Sequence, residues 1–420
     1  MNIYIKKIIY LGLIITVISL LFYSNKINKK SENKKEIIQA EQILKIEIID
    51  QYNLMKQLYE EPYKEEYVAV DIVINGKYYK DIGIRTKGSS IYSYIKKTDN
   101  PKKHSFKIKL DYINKEQEYA GIKEFHLNTG VPDKTGIREY LVYDIYNKMG
   151  IETQKYALGE MYINGIQNGF VTVIETINEE YVQNKYKSLK GNLYKPENVE
   201  MINCLGADLR YKDDEIDSYQ AIFNNVVTTH TQEQDEKQLI KILKDINQKN
   251  ITEEIIEKRF IDFNKIIKMI AINTVVTNLD SFAGKTTRNY YLYEEDGKID
   301  IIPFDFNMSF GLNTNKNVWN EEDFNKIEIS KMQQRGAIIC EIISNNQIYT
   351  KKYYQYLKET IELMQDADII NKIEEINIKL SNIKKQEKNL LYTYEDYKDE
   401  IKQLEKFIQK RNSSIIESVF

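Results

Sequence analysis

Histidine and cysteine are scarce in this chain. Its 420 residues include three histidines, His104, His126 and His230, and two cysteines, Cys204 and Cys340. No Cys-x-x-Cys or His-x-x-x-His pair occurs, which removes the usual spacings of a structural zinc site. Two thiols so far apart in sequence leave the redox compartment open, and they read as small buried hydrophobes rather than a disulfide. An excess of one charge is also missing: 60 Lys and Arg stand against 63 Asp and Glu, for a net charge of −3. No overall basic field points to nucleic acid as a partner. Pro-rich and Gly-Ser tracts are absent, as is any internal repeat. Four familiar signatures are absent too: the G-x-x-x-x-G-K-[ST] loop, G-x-G-x-x-G, His-Arg-Asp and Asp-Phe-Gly.

What is present begins with an apolar run. Residues 8–23, "IIYLGLIITVISLLFY", carry no charge; Lys6 and Lys7 precede them, and Lys26, Lys29, Lys30, Lys34 and Lys35 follow. A spanning helix wants roughly 17–25 apolar residues, so the run is slightly short for a membrane anchor but long enough to propose one. No Ala-x-Ala-like site or lipobox cysteine follows, which favours an uncleaved signal-anchor and a single-pass membrane protein. The lysine flanks and the short basic N-terminus give conflicting orientations. The expected layout is a basic stub at 1–7, the anchor at 8–23 and a polar linker at 24–40. A β-rich lobe at 41–195 and a helical lobe at 196–420 follow.

The lobe assignments come from periodicity. "EYVAVDIVINGKYYKDIGIRTKGSS" reads as two strands around an Asn75-Gly76 turn, and "HSFKIKLDY" as a third. "ALGEMYINGIQNGFVTVIETI" reads as a hairpin around Asn164-Gly165. "DKTGIREYLVYDIYNKMG" has helical spacing and Gly150 as its cap. After residue 200 the character is helical, interrupted by "RNYYLYEE" and "KIDIIPF", two strands hinged at Asp296-Gly297. The fold class is α+β.

Three constellations could carry chemistry. Arg85 and Lys87 share one face of a strand, and Lys107 and Lys109 share one face of another, opposite the apolar Phe106, Ile108 and Leu110. A solvated face explains them; so does a phosphate cradle with the "KGSS" turn at 87–90. Glu139 sits in a first helical turn, where the helix dipole alone accounts for an acid, or it pairs with Lys107. Within 278–311, Asp280 opens a polar loop after an apolar helix, Asn289 closes that loop, and Asp305 ends the second strand. Two carboxylates and an amide are the hard oxygen donors that magnesium prefers. The order Asp, Asn, strand, turn, strand, Asp is the logic of a kinase core, with one acid acting on a hydroxyl while the others hold metal. An ordinary polar hairpin is the open alternative.

The motifs together resemble the spore coat protein H (CotH-type) kinase family. The resemblance rests on "DIGIRTKGSS", "SFKIKLD", "FHLNT", "IREYLVYDIYNKMGI", "YINGIQNGFVTVIETI", "GNLYKP", "GADLRYKDDE", "NLDSFAG", "NYYLYEEDGKIDIIPFDFNMSFG" and "QQRGAI", which occur in the family's order from about residue 45 onward. It implies an atypical protein-kinase fold that transfers the γ-phosphoryl of ATP, with Mg²⁺ or Mn²⁺, to serine on a serine-rich coat- or surface-type protein. Asp280 would be the catalytic acid; Asp305 and Asn289 would be metal ligands. Asn307 fills a slot where some members carry Asp, which lowers the local negative charge, and Phe304 stands where the family often has Trp. Lys107, or alternatively Lys109, would contact ATP phosphates with Glu139 as helix partner, Arg85 and Lys87 would flank them, and Glu175 would lie near the adenine. A non-catalytic coat or surface assembly module and an AMP transferase are the competing functions.

Overall fold

Three Gly-containing dipeptides set the hairpins. At Asn75-Gly76, Asn164-Gly165 and Asp296-Gly297 both residues have positive φ (48° and 82°, 49° and 75°, 50° and 76°). That is the type I′ turn, whose twist matches two antiparallel strands and which asparagine, aspartate and glycine tolerate best. The computed structural model describes residues 43–88, 92, 95, 103–131, 133–198, 206–284, 287–312, 337–365, 367–387 and 391–419. The 8–23 run, the linker, Ser89, Ser90, Cys204 and "QQRG" lie outside them.

The chain forms two compact units. The first comprises the described residues up to Asn128 together with Lys155–Asn168 and Val173–Glu175. Its elements are β1 (Leu44–Ile49), α1 (Met55–Glu60), β2 (Val68–Ile74), β3 (Lys77–Lys87), β4 (Ser105–Lys109), β5 (Glu124–Asn128), β6 (Tyr156–Ile163) and β7 (Ile166–Glu175). The strands close into a barrel in the order β1-β2-β3-β4-β5-β7-β6. Alternation of apolar residues fills its interior: Leu44, Ile46 and Ile48 from β1 and Phe106 and Ile108 from β4 are buried.

The second unit comprises Thr129–Gln154, Gly169–Thr172 and Thr176–Phe420. It contains α2 (Arg138–Lys148), α3 (Glu179–Tyr186), β8 (Asn192–Tyr194), α4 (Gln220–Phe223), α5 (Glu233–Ile246) and α6 (Glu253–Arg259). These are followed by α7 (Phe263–Val275), β9 (Tyr290–Glu295), β10 (Lys298–Pro303), α8 (Ile338–Ser344), α9 (Gln347–Gln365), α10 (Ala367–Gln386) and α11 (Tyr394–Val419). Helix α2 stops where Gly150 takes φ of 75°, its N–H and that of Ile151 donating back to the Asn147 and Tyr146 carbonyls at 2.9 Å. Asp262 caps α7 by accepting from the Lys265 amide at 2.9 Å. Ten of the 13 residues of α7 are buried, so it is a core helix rather than an amphipathic surface one. Helix α9 packs along it: the Phe263 and Tyr349 rings are 5.0 Å apart, and the Tyr353 hydroxyl donates to Thr274 Oγ1 at 3.0 Å. From α11, the buried Arg411 donates to the Thr274 carbonyl at 3.0 Å.

Two expectations need correction. The small sheet lobe of a kinase is replaced by a closed seven-stranded barrel. The cause is β1, a strand not anticipated from sequence, which pairs antiparallel with β2 and parallel with β6 (Leu44 opposite Gly159) and so joins the two sheet edges. The single-pass membrane localisation is also corrected: no helix among the described residues is long and apolar enough to cross a membrane, and the 8–23 run lies outside those residues. The long helices α9, α10 and α11 are amphipathic, with charged residues recurring along one face. The broader α+β reading holds.

Leu357 of α9 is fully buried. Leu357→Ala is expected to lower unfolding free energy by about 3 kcal/mol, read from urea denaturation of the full chain.

Candidate active site

The stretch that leaves α7 is held in costly backbone geometry. Thr277, Thr287, Asn289 and Asp305 all have left-handed φ, of 52°, 45°, 61° and 58°. Such values are uncommon outside glycine and hardest for a β-branched residue, so the surroundings must over-determine them. The surroundings do so with backbone bonds. Asn278 N–H donates to the Asn273 carbonyl at 2.8 Å, Ser281 Oγ donates to the Asn278 carbonyl at 2.9 Å, and Gly284 N–H to the Ser281 carbonyl at 2.9 Å. A Cβ on Gly284 would lie 2.0 Å from the Leu279 carbonyl oxygen, so this loop closes only around glycine.

That loop presents Asp280. Arg288 grips it with a two-pronged pair, Nε to Oδ1 and Nη2 to Oδ2, each 2.7 Å. The Asn289 amide nitrogen donates to the Asp280 carbonyl at 2.7 Å and to Oδ2 at 3.1 Å. With its NH₂ turned to Asp280, the Asn289 Oδ1 faces away from that carboxylate. Asp305 comes to the same end of the hairpin: Tyr290 opposes Pro303, and Phe304 N–H donates to the Asn289 carbonyl at 3.2 Å. Phe306 then anchors the strand end between Tyr143 and Tyr146, with ring centroids at 4.8 and 4.9 Å. Its amide donates to Glu139 Oε1 at 3.4 Å, so the α2 acid is buried beside the Asp305 backbone. Burial pushes the Tyr143 hydroxyl well above its usual range, and the Glu139 and Asp305 carboxylates push it further. Asn307 is half-buried in the turn after Asp305. Lys195 adds a cation: its ammonium lies 5.9 Å above the Phe304 ring and pairs with Glu197 at 2.5 Å. Burial alone would lower its pKa, but the charges around it, Asp305 among them, hold it above the ordinary value.

The first-unit cations form a separate array. Arg85 of β3 stands directly opposite Lys107 of β4, and Lys109 opposite Glu124 of β5. Like charges so placed repel unless acids intervene. Glu124 does this, with Oε2 at 2.9 Å from Lys107 Nζ and Oε1 at 2.8 Å from Lys109 Nζ. Arg85 pairs with Glu65 and lies 5.5 Å from the Tyr67 ring centre; Lys87 Nζ donates to Asn128 Oδ1 at 2.8 Å. Lys107 and Glu139 belong to different units. Glu175 ends β7 with Oε2 accepting from the Lys155 amide at 3.0 Å. Cys340 is buried on α8.

Could this chemistry hold a metal? Among the described residues no three His, Cys, Asp or Glu side chains gather as a ligand set. Asp305 and the Asn289 Oδ1 supply two hard oxygens at one hairpin end, while Asp280 is committed to Arg288. This fits a magnesium ion that takes its other ligands from phosphates and water, as magnesium usually does, and does not fit an all-protein cage.

In this α+β chain Asp280 follows the core helix α7, and Asn289 and Asp305 stand at one end of the β9–β10 hairpin. The profile of the family described as CotH kinase protein matches residues 84–415. The chain belongs to that family. It is also similar to the inner spore coat protein H of Bacillus subtilis (strain 168), with 21% identity over 284 residues, covering 67% of this chain and 71% of that protein.

Sequence reasoning passed over Arg288, Glu124 and Lys195. Arg288 had a signal, a cation directly before Asn289 in the loop between Asp280 and Asn289. Glu124 had none, because its role depends on the β4–β5 register. Arg288→Met is expected to cost about 1–3 kcal/mol, read from urea denaturation, by removing two of the donors to the Asp280 carboxylate and leaving it the Asn289 amide. For Glu124, burial alone would raise the pKa, but the Lys107 and Lys109 ammonium groups override it and hold the group below its ordinary 4.5. Its stabilising contribution is therefore complete above that ordinary value and is lost as pH falls through the depressed one. Glu124→Gln should flatten the acid side of the stability curve, seen in urea midpoints compared between about pH 6 and pH 3.

Proposed function

We propose that this protein is a serine kinase that moves the γ-phosphoryl group of ATP onto a serine-rich, coat-type protein. Membership of the CotH kinase protein family supports the reaction class, and the spore-coat relative supports the kind of substrate. The observation that carries the reading is the joining of Asp280 and Asn289 through direct hydrogen bonds, at the hairpin end that Asp305 occupies. In this reading Asp280 orients the serine hydroxyl and takes its proton, and the Arg288 fork fixes the position of the carboxylate. Asp305 and Asn289 would hold a magnesium or manganese ion, with Asn307 close by; that ion, when bound, neutralises phosphate oxygens. Lys107, Lys109, Arg85 and Lys87 are assigned to phosphate contacts, Glu139 to support of the site and Glu175 to the adenine side, on family resemblance.

A second reading is a non-catalytic coat-assembly module. The observation in its favour is that both Asp280 oxygens are already taken by Arg288. Incubating the full chain with ATP, magnesium and a serine-rich peptide separates the two. Label from the γ-phosphate should enter the peptide, and Asp280→Ala and Asp305→Ala should each reduce incorporation by at least about 100-fold with the circular dichroism unchanged. No incorporation by the native chain supports the assembly module; incorporation from the α-phosphate instead identifies an AMP transferase.

A further inference from the structure

Helix α11 turns one face toward three stretches of the candidate site. Glu400, Phe407 and Arg411 recur at spacings of seven and four residues, so they lie along one side of the helix. Leu404 and Ile408, on the same side, are buried. Glu400 Oε1 accepts from Arg138 Nη2 at 2.7 Å, and Arg138 directly precedes Glu139 in the first turn of α2. Phe407 lies against Gly311, six residues beyond Asp305; a Cβ on that glycine would stand 2.6 Å from the ring. Arg411 donates to the Thr274 carbonyl at 3.0 Å, six residues before Asp280.

Arg411 is the costly member of this set. Its residue is 1% exposed, and a guanidinium is expensive to take out of water. Well-packed hydrophobic residues often replace buried ions with no loss of stability, so stability alone gives little reason for an arginine here. Its place gives one. Thr274 lies in the last turn of α7, where the carbonyls at the helix end attract a cation. The left-handed Thr277 (φ 52°) follows, and then Asp280. The turn after Asp305 ties into the same point: Phe310, also left-handed (φ 56°), donates its N–H to the Val276 carbonyl at 2.6 Å. One helix face therefore meets the chain just before Asp280, just after Asp305 and beside Glu139.

We propose that α11 braces the candidate site and that Arg411 is a positioning residue in it, fixing the end of α7 where the chain leaves for Asp280. The catalytic meaning of this brace rests on the kinase reading, but the brace itself is measurable without activity, so the two fail separately.

The test compares the full native chain with Arg411→Met, Arg411→Lys and, as a control on the exposed side of α11, Lys410→Met. Hydrogen exchange is followed by mass spectrometry without nucleotide or metal. Arg411→Met should exchange at least about tenfold faster in peptides covering 277–281 and 306–311, with the β9 and β10 strands unchanged. Transfer from γ-labelled ATP with magnesium to a serine-rich peptide then gives kcat and KM. Arg411→Met should lower kcat at least about tenfold while KM for ATP stays within about twofold, because a misplacement of about 1 Å is enough for such a loss. Arg411→Lys, whose ammonium can donate to the same carbonyl, should recover kcat to within about threefold of the native value. A purely structural role predicts the reverse order, since methionine suits a core position better than a buried ammonium does. Lys410→Met should match the native chain throughout. A native chain that transfers no phosphate ends the kinase reading and leaves exchange to decide the brace. Unchanged exchange in both segments of folded Arg411→Met overturns the brace. Native kcat in Arg411→Met, or a kcat in Arg411→Lys as low as in Arg411→Met, overturns the positioning role.

Discussion

The grip of Arg288 on Asp280 organises the functional part of the molecule. A half-buried carboxylate at the end of a buried helix needs donors, and here two come from one guanidinium and another from the Asn289 amide. Those bonds tie the start of the polar loop to its end and so fix where the β9–β10 hairpin begins. The hairpin register then fixes Asp305. Charge-assisted, two-pronged contacts are the strong kind, and they can hold four left-handed non-glycine residues in place. Without the pair, the loop would have little reason to keep its strained geometry.

Acids and cations alternate through both units in the same way. Glu124 quiets the repulsion between Lys107 and Lys109, and Glu197 and Asp305 flank Lys195. Phosphoryl transfer needs positioning and charge neutralisation more than a covalent nucleophile, and such arrays supply both. The kinase and assembly-module readings part at the two-pronged pair of Asp280 with Arg288.

Local chemistry was the legible part of the sequence. The Asn-Gly and Asp-Gly turns, the Gly150 stop of α2 and the strand alternation around Phe106 and Ile108 depend on neighbours a few residues away, and each appears in the structure as read. Asp280, Asn289 and Asp305 could be placed at one hairpin end because a two-residue turn fixes register. Barrel closure was not legible: β1 is six residues long and pairs with β6 more than a hundred residues on, a contact no local pattern encodes. β8 hid for the same reason, as a three-residue strand added to the hairpin far along the chain. Pairing partners such as Glu124 and Arg288 emerge only once register and loop path are known. The apolar run at 8–23 was read from composition alone, and the described helices give a membrane span no support.

The central claim is that Asp305 and Asn289 offer their oxygens to one divalent ion beside Asp280. The most direct measurement is anomalous diffraction from crystals grown with manganese and a non-hydrolysable ATP analogue. The account predicts a manganese peak about 2.1–2.3 Å from an Asp305 carboxylate oxygen and the Asn289 Oδ1, with phosphate oxygens completing the shell. Manganese found elsewhere on the protein, or nucleotide bound with Asp305 and Asn289 facing no ion, would contradict it.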